Sequence, residues 1–82
     1  MKEINLTVKD ITTDITKEID GYSEIYVERV YGDLFFMKNG SSLEDAIKIE
    51  DNTTYQLNNI TQIHNVHGKK AKSFFTLKGY LK

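Results

Sequence analysis

The stretch IYVERVYGDLFFM, residues 25–37, decides the fold class. Ile25 and Val27 alternate with more polar neighbours, which is the period-two pattern of a half-buried β-strand. Gly32-Asp33 then predicts a turn, because glycine and aspartate tolerate the backbone angles that tight turns need. Leu34 to Met37 form a continuous apolar run, which is typical of a strand buried on both faces. The stretch therefore predicts two β-strands joined by a turn.

The rest of the chain repeats short strands and turns. Nine Ile, four Val and eight Thr stand against two Ala, and β-branched side chains pack well on a pleated sheet. Further strands are predicted at Ile4 to Val8, around Ile47 and Ile49, around Tyr55 and Leu57, at Ile60 to Val66 and at Ala71 to Leu77. Further turns are predicted at Asp20-Gly21, Asn39-Gly40, Glu50-Asp51-Asn52 and His67-Gly68. The last of these turns would join the final two strands into a hairpin.

Two segments carry helical signals. Ile11, Ile15 and Ile19 fit helical spacing, but the same residues also obey period two, and three threonines in the segment favour a strand. Residues 42–45, Ser-Leu-Glu-Asp, resemble a capping box. Little sequence follows them before the next strand, so we expect one helical turn there at most.

Residues 47–63, IKIEDNTTYQLNNITQI, resemble the hairpin of SH3-like, Sm-like or pleckstrin-like barrels. The resemblance covers about a fifth of the chain and includes no family-specific motif, so it supports an architecture and not a family. A chain of 82 residues has room for one domain, spanning residues 1–82. We predict an all-β fold with one short helix at most, a small antiparallel meander rolled into a partly open barrel of SH3-like or Sm-like size.

No motif for catalysis, metal binding or membrane insertion stands out. The chain has no cysteine, which removes thiolate chemistry and favours a reducing compartment. The nucleophile elbow, the phosphate loop and the dinucleotide glycine pattern are missing. His64 and His67 are three residues apart and would point to opposite faces of a strand, which argues against a shared metal ion. We therefore predict a cytoplasmic protein that is not an enzyme, holds no metal or cofactor and has no membrane partner.

Charge is divided unevenly along the chain. Residues 1–51 hold six basic side chains against all twelve acids, whereas residues 52–82 hold five lysines and no acid. Three interpretations follow from this division. The acidic part can be a working surface, the basic part can bind nucleic acid, or the two parts can pair within the domain or across a symmetric dimer.

The acidic surface is the interpretation that we prefer. Tyrosine side chains surrounded by carboxylates suit the centre of a protein interface. An acidic face also attracts a basic partner. The predicted function is a protein-binding module, a phage or mobile-element regulator or inhibitor that blocks a host protein with a basic surface. The expected partner-binding residues are Asp20, Tyr22, Glu24, Tyr26 and Glu28.

Two alternatives stay open. A nucleic-acid-binding barrel would use the basic C-terminal hairpin, where lysines contact phosphates and an aromatic ring stacks on a base. Its residues would be Lys69, Lys70, Lys72 and Phe74. The single arginine of the chain argues against this alternative. The second alternative is a structural subunit of a larger assembly, and a homodimer also stays open.

Overall fold

The computed structural model describes residues 1–67 and 75–82, which contain eight strands and two short helical turns. The strands are β1 (Lys2–Val8), β2 (Thr12–Asp14), β3 (Glu24–Tyr31), β4 (Leu34–Lys38), β5 (Ile47–Lys48), β6 (Thr53–Gln56), β7 (Ile60–Asn65) and β8 (Phe75–Leu81). The helical turns are α1 (Thr16–Ile19) and a 3-10 turn (Leu43–Asp45). Within the described residues, no helix is long and apolar enough to cross a membrane.

The strands form two antiparallel sheets of four strands each. Sheet 1 has the order β1-β8-β3-β6, and sheet 2 has the order β2-β7-β4-β5. The two sheets do not close into a full barrel. The predicted all-β, partly open architecture is therefore confirmed.

The predicted turns coincide with unusual backbone angles. Positive φ angles occur in the turns at Gly21, Gly32, Gly40 and Asn52. Asn59, between β6 and β7, also has a positive φ angle, although no turn was predicted there. The predicted turn at His67-Gly68 extends outside the described residues.

The predicted pairing of neighbouring strands is wrong in two places. β7 pairs with β2 and β4, whereas β8 pairs with β1 and β3, so these strands do not form a final hairpin. β5 and β6 also lie in different sheets, so residues 47–63 do not form the hairpin of the barrels that they resemble. At both points the chain crosses from one sheet to the other. A turn signal reverses the chain, but burial of the apolar faces selects the partner strand.

Residues 11–20 contain a strand and a helical turn in succession. β2 pairs with β7 through Thr12–Asp14, and α1 ends at the buried Ile19. The preference for a strand was therefore right only for the first part of this segment. The backbone N–H of Thr16 donates a hydrogen bond to Oδ1 of Asp14 at 2.8 Å, which satisfies one donor at the start of the helical turn. This hydrogen bond lowers the pKa of the Asp14 carboxyl below its ordinary value of 3.8.

The second helical signal also gives one turn. The 3-10 turn follows Ser42, in agreement with the prediction of one turn at most. The Ser42 side chain makes no capping hydrogen bond, so the expected capping box does not form. The turn buries none of its residues, which explains why it does not extend further.

The core comes mainly from alternate residues of the strands: Ile4, Val8, Ile25, Val27, Leu34, Phe36, Ile63, Leu77 and Leu81 are all buried. The Tyr55 ring meets the buried Phe36 ring edge-on, with 5.2 Å between centroids. The Tyr55 hydroxyl accepts a hydrogen bond from the N–H of Glu50 at 2.7 Å and donates one to the carbonyl of Lys48 at 2.9 Å. Because Tyr55 lies in β6 and Lys48 in β5, this side chain links the edge strands of the two sheets.

β3 and β8 approach each other closely at the centre of sheet 1. Their register passes from Val27 opposite Gly79 to Arg29 opposite Lys78, so Glu28 is the extra residue of a β-bulge. A β-carbon at residue 79 would lie 2.6 Å from the carbonyl oxygen of Tyr26. Glycine is therefore needed at this position for the two strands to pair as they do.

Candidate functional site

Sheet 1 turns one face to the core and the other to solvent. Buried and more exposed residues alternate along its strands, as the period of a β-strand requires. We call the solvent-facing side the outer face and define it by three strands. Its residues are Glu3, Asn5 and Thr7 of β1, Thr76, Lys78 and Tyr80 of β8, and Glu24, Tyr26, Glu28, Arg29 and Tyr31 of β3, the last two following the bulge at Glu28.

Two tyrosines lie next to each other on the outer face. Tyr26 and Tyr80 are directly opposite in the β3–β8 pairing, and their rings stack with centroids 6.5 Å apart and planes at 22°. The Tyr26 hydroxyl donates a hydrogen bond to Oδ1 of Asn52 at 3.0 Å. Both rings are partly exposed. Such an aromatic pair offers a large contact area together with polar hydroxyl groups, which suits the centre of an interface.

Lys78 joins two carboxylates across the outer face. Its Nζ atom lies 3.2 Å from Oε2 of Glu28 and 3.3 Å from Oε1 of Glu3. The hydrogen bonds that Lys78 donates to Glu28 and then to Glu3 raise the pKa of Lys78 above its ordinary value of 10.5. Exposed ion pairs of this kind contribute little to stability. With Glu24 included, the outer face carries three carboxylates. The cations Arg29, opposite Lys78, and Lys82, opposite Glu24, lie on the same side, so the charge of this face is mixed.

The same contacts show how the uneven division of charge is used. Lys78 comes from the part of the chain without acids, and both of its partners come from the acidic part. His67 and Asp33 make a second link between the two parts, with Nε2 and Oδ2 2.8 Å apart. Internal pairing of opposite charges is therefore present at Lys78, and His67 and Asp33 join the two parts by a hydrogen bond.

An open depression lies at one side of the outer face. It has a volume of about 510 Å³ and is lined by Glu28, Arg29, Tyr31, Asn52 and Lys78. The Arg29 guanidinium lies 5.8 Å from the centre of the Tyr31 ring, and its Nε atom lies 3.9 Å from Oδ2 of Asp51. Charges of both signs line the depression, and it is open to solvent. It extends the outer face and does not form an enclosed chamber for a small molecule.

The structure brings together three of the five predicted partner-binding residues. Glu24, Tyr26 and Glu28 alternate along β3 and share the outer face. Asp20 follows α1 as its C-terminal flanking residue. The Tyr22 ring packs against the core. Asp20 and Tyr22 precede β3 in the chain and do not belong to the outer face.

Sequence reasoning missed Glu3, Lys78 and Tyr80 as members of this site. These residues lie beside β3 only because β8 is inserted between β1 and β3. Lys78 and Tyr80 alternate with Leu77 and Leu81, so the sequence contained a signal that they share a solvent-facing side. No signal in the sequence identified which strand would be their neighbour.

The residues of the nucleic-acid alternative, Lys69, Lys70, Lys72 and Phe74, lie outside the described residues. Next to them, the His67 ring stacks on Phe75 with centroids 5.5 Å apart. His64 lies on β7, opposite Thr12 and Phe35. In the part of the chain that the structure describes, no three His, Cys, Asp or Glu side chains are grouped to hold a metal ion.

Comparisons with other proteins assign no family to this chain. No protein-family model, curated protein or solved structure matches it. The outer face is therefore the feature from which a function can be argued.

Proposed function

We propose that the protein is a non-enzymatic binding module whose outer face contacts a basic surface of another protein. The observation that carries this proposal is the stacked pair Tyr26 and Tyr80 with Glu3, Glu24 and Glu28 on the same face. Tyrosine is enriched at the energetic centres of interfaces, because its large ring loses little conformational freedom on binding. Carboxylates beside such a centre attract and orient a partner rich in lysine and arginine.

Lys78 gives the outer face a fixed order of charges. The ammonium group lies between Glu3 and Glu28, so the face presents a negative, a positive and a negative group in succession. A partner with an unmatched pattern would place like charges together, which disfavours binding. The basic groups of the partner would contact Glu24 and the carboxylate oxygens of Glu3 and Glu28 that do not contact Lys78.

The biological role that we propose is that of a phage or mobile-element regulator or inhibitor that blocks a host protein. The small size of the chain and the carboxylates on its outer face support this role. An acidic face can occupy a basic groove that would otherwise hold the phosphates of a nucleic acid. The host protein would then have a nucleic-acid-binding groove as its basic surface.

Charge reversal on the outer face tests the proposal. The variant Glu24→Lys/Glu28→Lys is compared with wild type in affinity capture from a bacterial lysate, followed by mass spectrometry. Glu18→Lys/Glu44→Lys is the matched control, since it changes the net charge equally at exposed positions outside the outer face. We expect the first variant to lose the captured protein and the control to keep it. Equal capture by both variants would contradict an acidic binding face.

Substitution of the tyrosines tests the centre of the face separately from its charge. Tyr80→Ala removes the ring that stacks on Tyr26 and leaves every carboxylate in place. An interface centre of this type loses about 2 kcal/mol or more of binding free energy on truncation, which is roughly a 30-fold weaker affinity for the captured partner. An unchanged affinity, measured by calorimetry with the folded variant, would remove the tyrosine pair from the proposal.

The alternative functions predict different measurements. A nucleic-acid-binding protein would bind single-stranded DNA or RNA at low salt and lose affinity as salt rises. The Glu24→Lys/Glu28→Lys variant would bind nucleic acid more tightly in that case, because two repulsive charges are removed. Absence of binding at low salt would exclude this alternative. A structural subunit would instead appear as a larger assembly in sizing experiments.

A further inference from the structure

In the part of the chain that the structure describes, β1 is an edge strand with one unused side. It pairs with β8 from Lys2 to Val8 without a register shift, and among the described residues its backbone makes no hydrogen bond on the opposite side. The other edge strands are shorter, with three residues in β2, two in β5 and four in β6. Long regular edges are ready to pair with another strand, and proteins usually protect them with proline, bulges or short length. β1 has no proline, no bulge and no short length, and its charged side chains are Lys2 and Glu3.

The sequence around β1 is complementary to itself in the antiparallel direction. If Leu6 lies opposite Leu6 of a second copy, each neighbour on one strand meets a matching neighbour on the other. The opposed pairs are Asn5 with Thr7, Ile4 with Val8, Glu3 with Lys9 and Lys2 with Asp10. Every pair is apolar with apolar, polar with polar, or acid with base. Pairs of these kinds stabilise adjacent antiparallel strands.

Other registers do not give this match. A shift by one residue would bring core-facing side chains opposite solvent-facing ones. A shift by two residues in one direction would place Lys2 opposite Val8, and in the other direction it would place Ile4 opposite Asp10. Each of those registers sets a charge against an apolar side chain. The pairing centred on Leu6 is therefore selected by charge and by apolar surface together.

We infer that two copies of this chain pair through β1 in the register centred on Leu6. The two four-stranded sheets then form one continuous sheet of eight strands around a two-fold axis. Leu6 is half-buried in the single chain, and the added strand would cover more of it. Lys9 and Asp10 are exposed and also have interactions within their own chain, to which the pairs across the two copies would be added. This pairing uses the backbone edge of β1, although Glu3, Asn5 and Thr7 also belong to the outer face. The proposed function rests on Tyr26 and Tyr80, which the pairing does not use, so its failure would leave that proposal standing.

Disulfide cross-linking tests the register. The chain has no cysteine, and Asn5 and Thr7 are exposed, so Asn5→Cys and Thr7→Cys each introduce one accessible thiol. Directly opposed residues have β-carbons about 5 Å apart, whereas residues on the diagonal are about 7–8 Å apart and too distant for a disulfide. After mild oxidation of a mixture of the two variants, we expect the mixed disulfide to predominate. A random distribution of the three possible disulfides, resolved by mass, would overturn the register.

Charge exchange tests the association itself by sedimentation velocity over a wide concentration range. Glu3→Lys and Lys9→Glu each bring like charges together, and we expect a dissociation constant roughly three- to tenfold higher for each. The double variant restores opposite charges and should restore the dimer. Lys17→Glu, on α1, is the control for net charge and should have no effect. A wild-type chain that remains monomeric at every concentration would overturn the inference, as would a double variant as weak as the singles.

Discussion

The α-carbon of Gly79 lies against the main-chain carbonyl oxygen of Tyr26, so that a β-carbon at residue 79 would lie 2.6 Å from this oxygen. Real β-carbons do not approach an oxygen so closely, so β3 or β8 would have to move if residue 79 had one. Tyr26 belongs to the outer face, and its ring stacks on Tyr80, the residue next to Gly79.

Gly79→Ala is expected to destabilise the protein. The added methyl group overpacks a buried position between two paired strands, for which a loss of about 1–3 kcal/mol in the free energy of unfolding is typical. Urea denaturation followed by circular dichroism measures this loss. Thr76→Ala on the solvent-facing side of the same strand is the control, with an expected change within about 0.5 kcal/mol. Equal stability of the two variants would contradict the close approach of β3 and β8.

Tyr55→Phe is expected to loosen the junction between the two sheets. The substitution keeps the ring against Phe36 but removes the hydroxyl that contacts Glu50 and Lys48. Loss of two hydrogen bonds should lower the free energy of unfolding by about 1–2 kcal/mol. Tyr31→Phe, at a largely exposed ring, is the matched control and should leave thermal stability nearly unchanged. If the two variants have the same melting temperature, the Tyr55 hydroxyl does not link the sheets.

Asp51→Ala is expected to free a main-chain donor of β3. The N–H of Val30 donates a hydrogen bond to Oδ1 of Asp51 at 2.7 Å, beyond the end of the β3–β6 pairing. Its loss should lower the free energy of unfolding by about 0.5–1.5 kcal/mol and speed hydrogen exchange at the Val30 amide. Asp51→Asn keeps an acceptor oxygen without the charge, so it should preserve most of the protection of the Val30 amide from hydrogen exchange. If the Val30 amide exchanges equally fast in both variants, the protection in the wild type comes from the charge of Asp51 and not from the hydrogen bond.

Asp14 is expected to contribute to the acid sensitivity of the fold. The Thr16 N–H holds the pKa of Asp14 below 3.8 in the folded chain, and the unfolded chain has the ordinary value. A group with a lowered folded pKa contributes stability that is fully present above pH 3.8 and is lost as the pH falls through the folded pKa. Asp14→Asn should therefore flatten the stability curve below pH 3.8. Parallel curves for the variant and wild type, from urea denaturation at several pH values, would contradict this linkage.

Strands were easier to predict from this sequence than their partners. The alternation of Ile25 and Val27 and the apolar run from Leu34 predicted β3 and β4, because the faces of a strand follow from local sequence. The place of β8 between β1 and β3 depends on contacts between distant residues, which no local pattern contains. For this reason the turn signal at His67-Gly68 predicted a hairpin of the last two strands, whereas β7 and β8 lie in different sheets.

The same distinction applies to the candidate site. Glu24, Tyr26 and Glu28 were selected from one strand, and period two placed them correctly on one face. Lys78 and Tyr80 lie in the part of the chain without acids and were not selected as partner-binding residues, although they complete the outer face. The bulge at Glu28 was also not foreseen, because it depends on the register with β8.

The central place of β8 in sheet 1 affects the order in which the chain can fold. β8 is the last strand in the sequence, yet among the described residues it is the only strand that pairs with β1. During synthesis the strands of sheet 2, which end at Asn65, emerge before β8 does. The pairing of Lys2 with Leu81 brings together residues that are far apart in the sequence, and such long-range pairing slows folding. Until Phe75–Leu81 has left the ribosome, Ile4 and Val8 lack their partner strand, and we expect their apolar side chains to stay uncovered in the nascent chain.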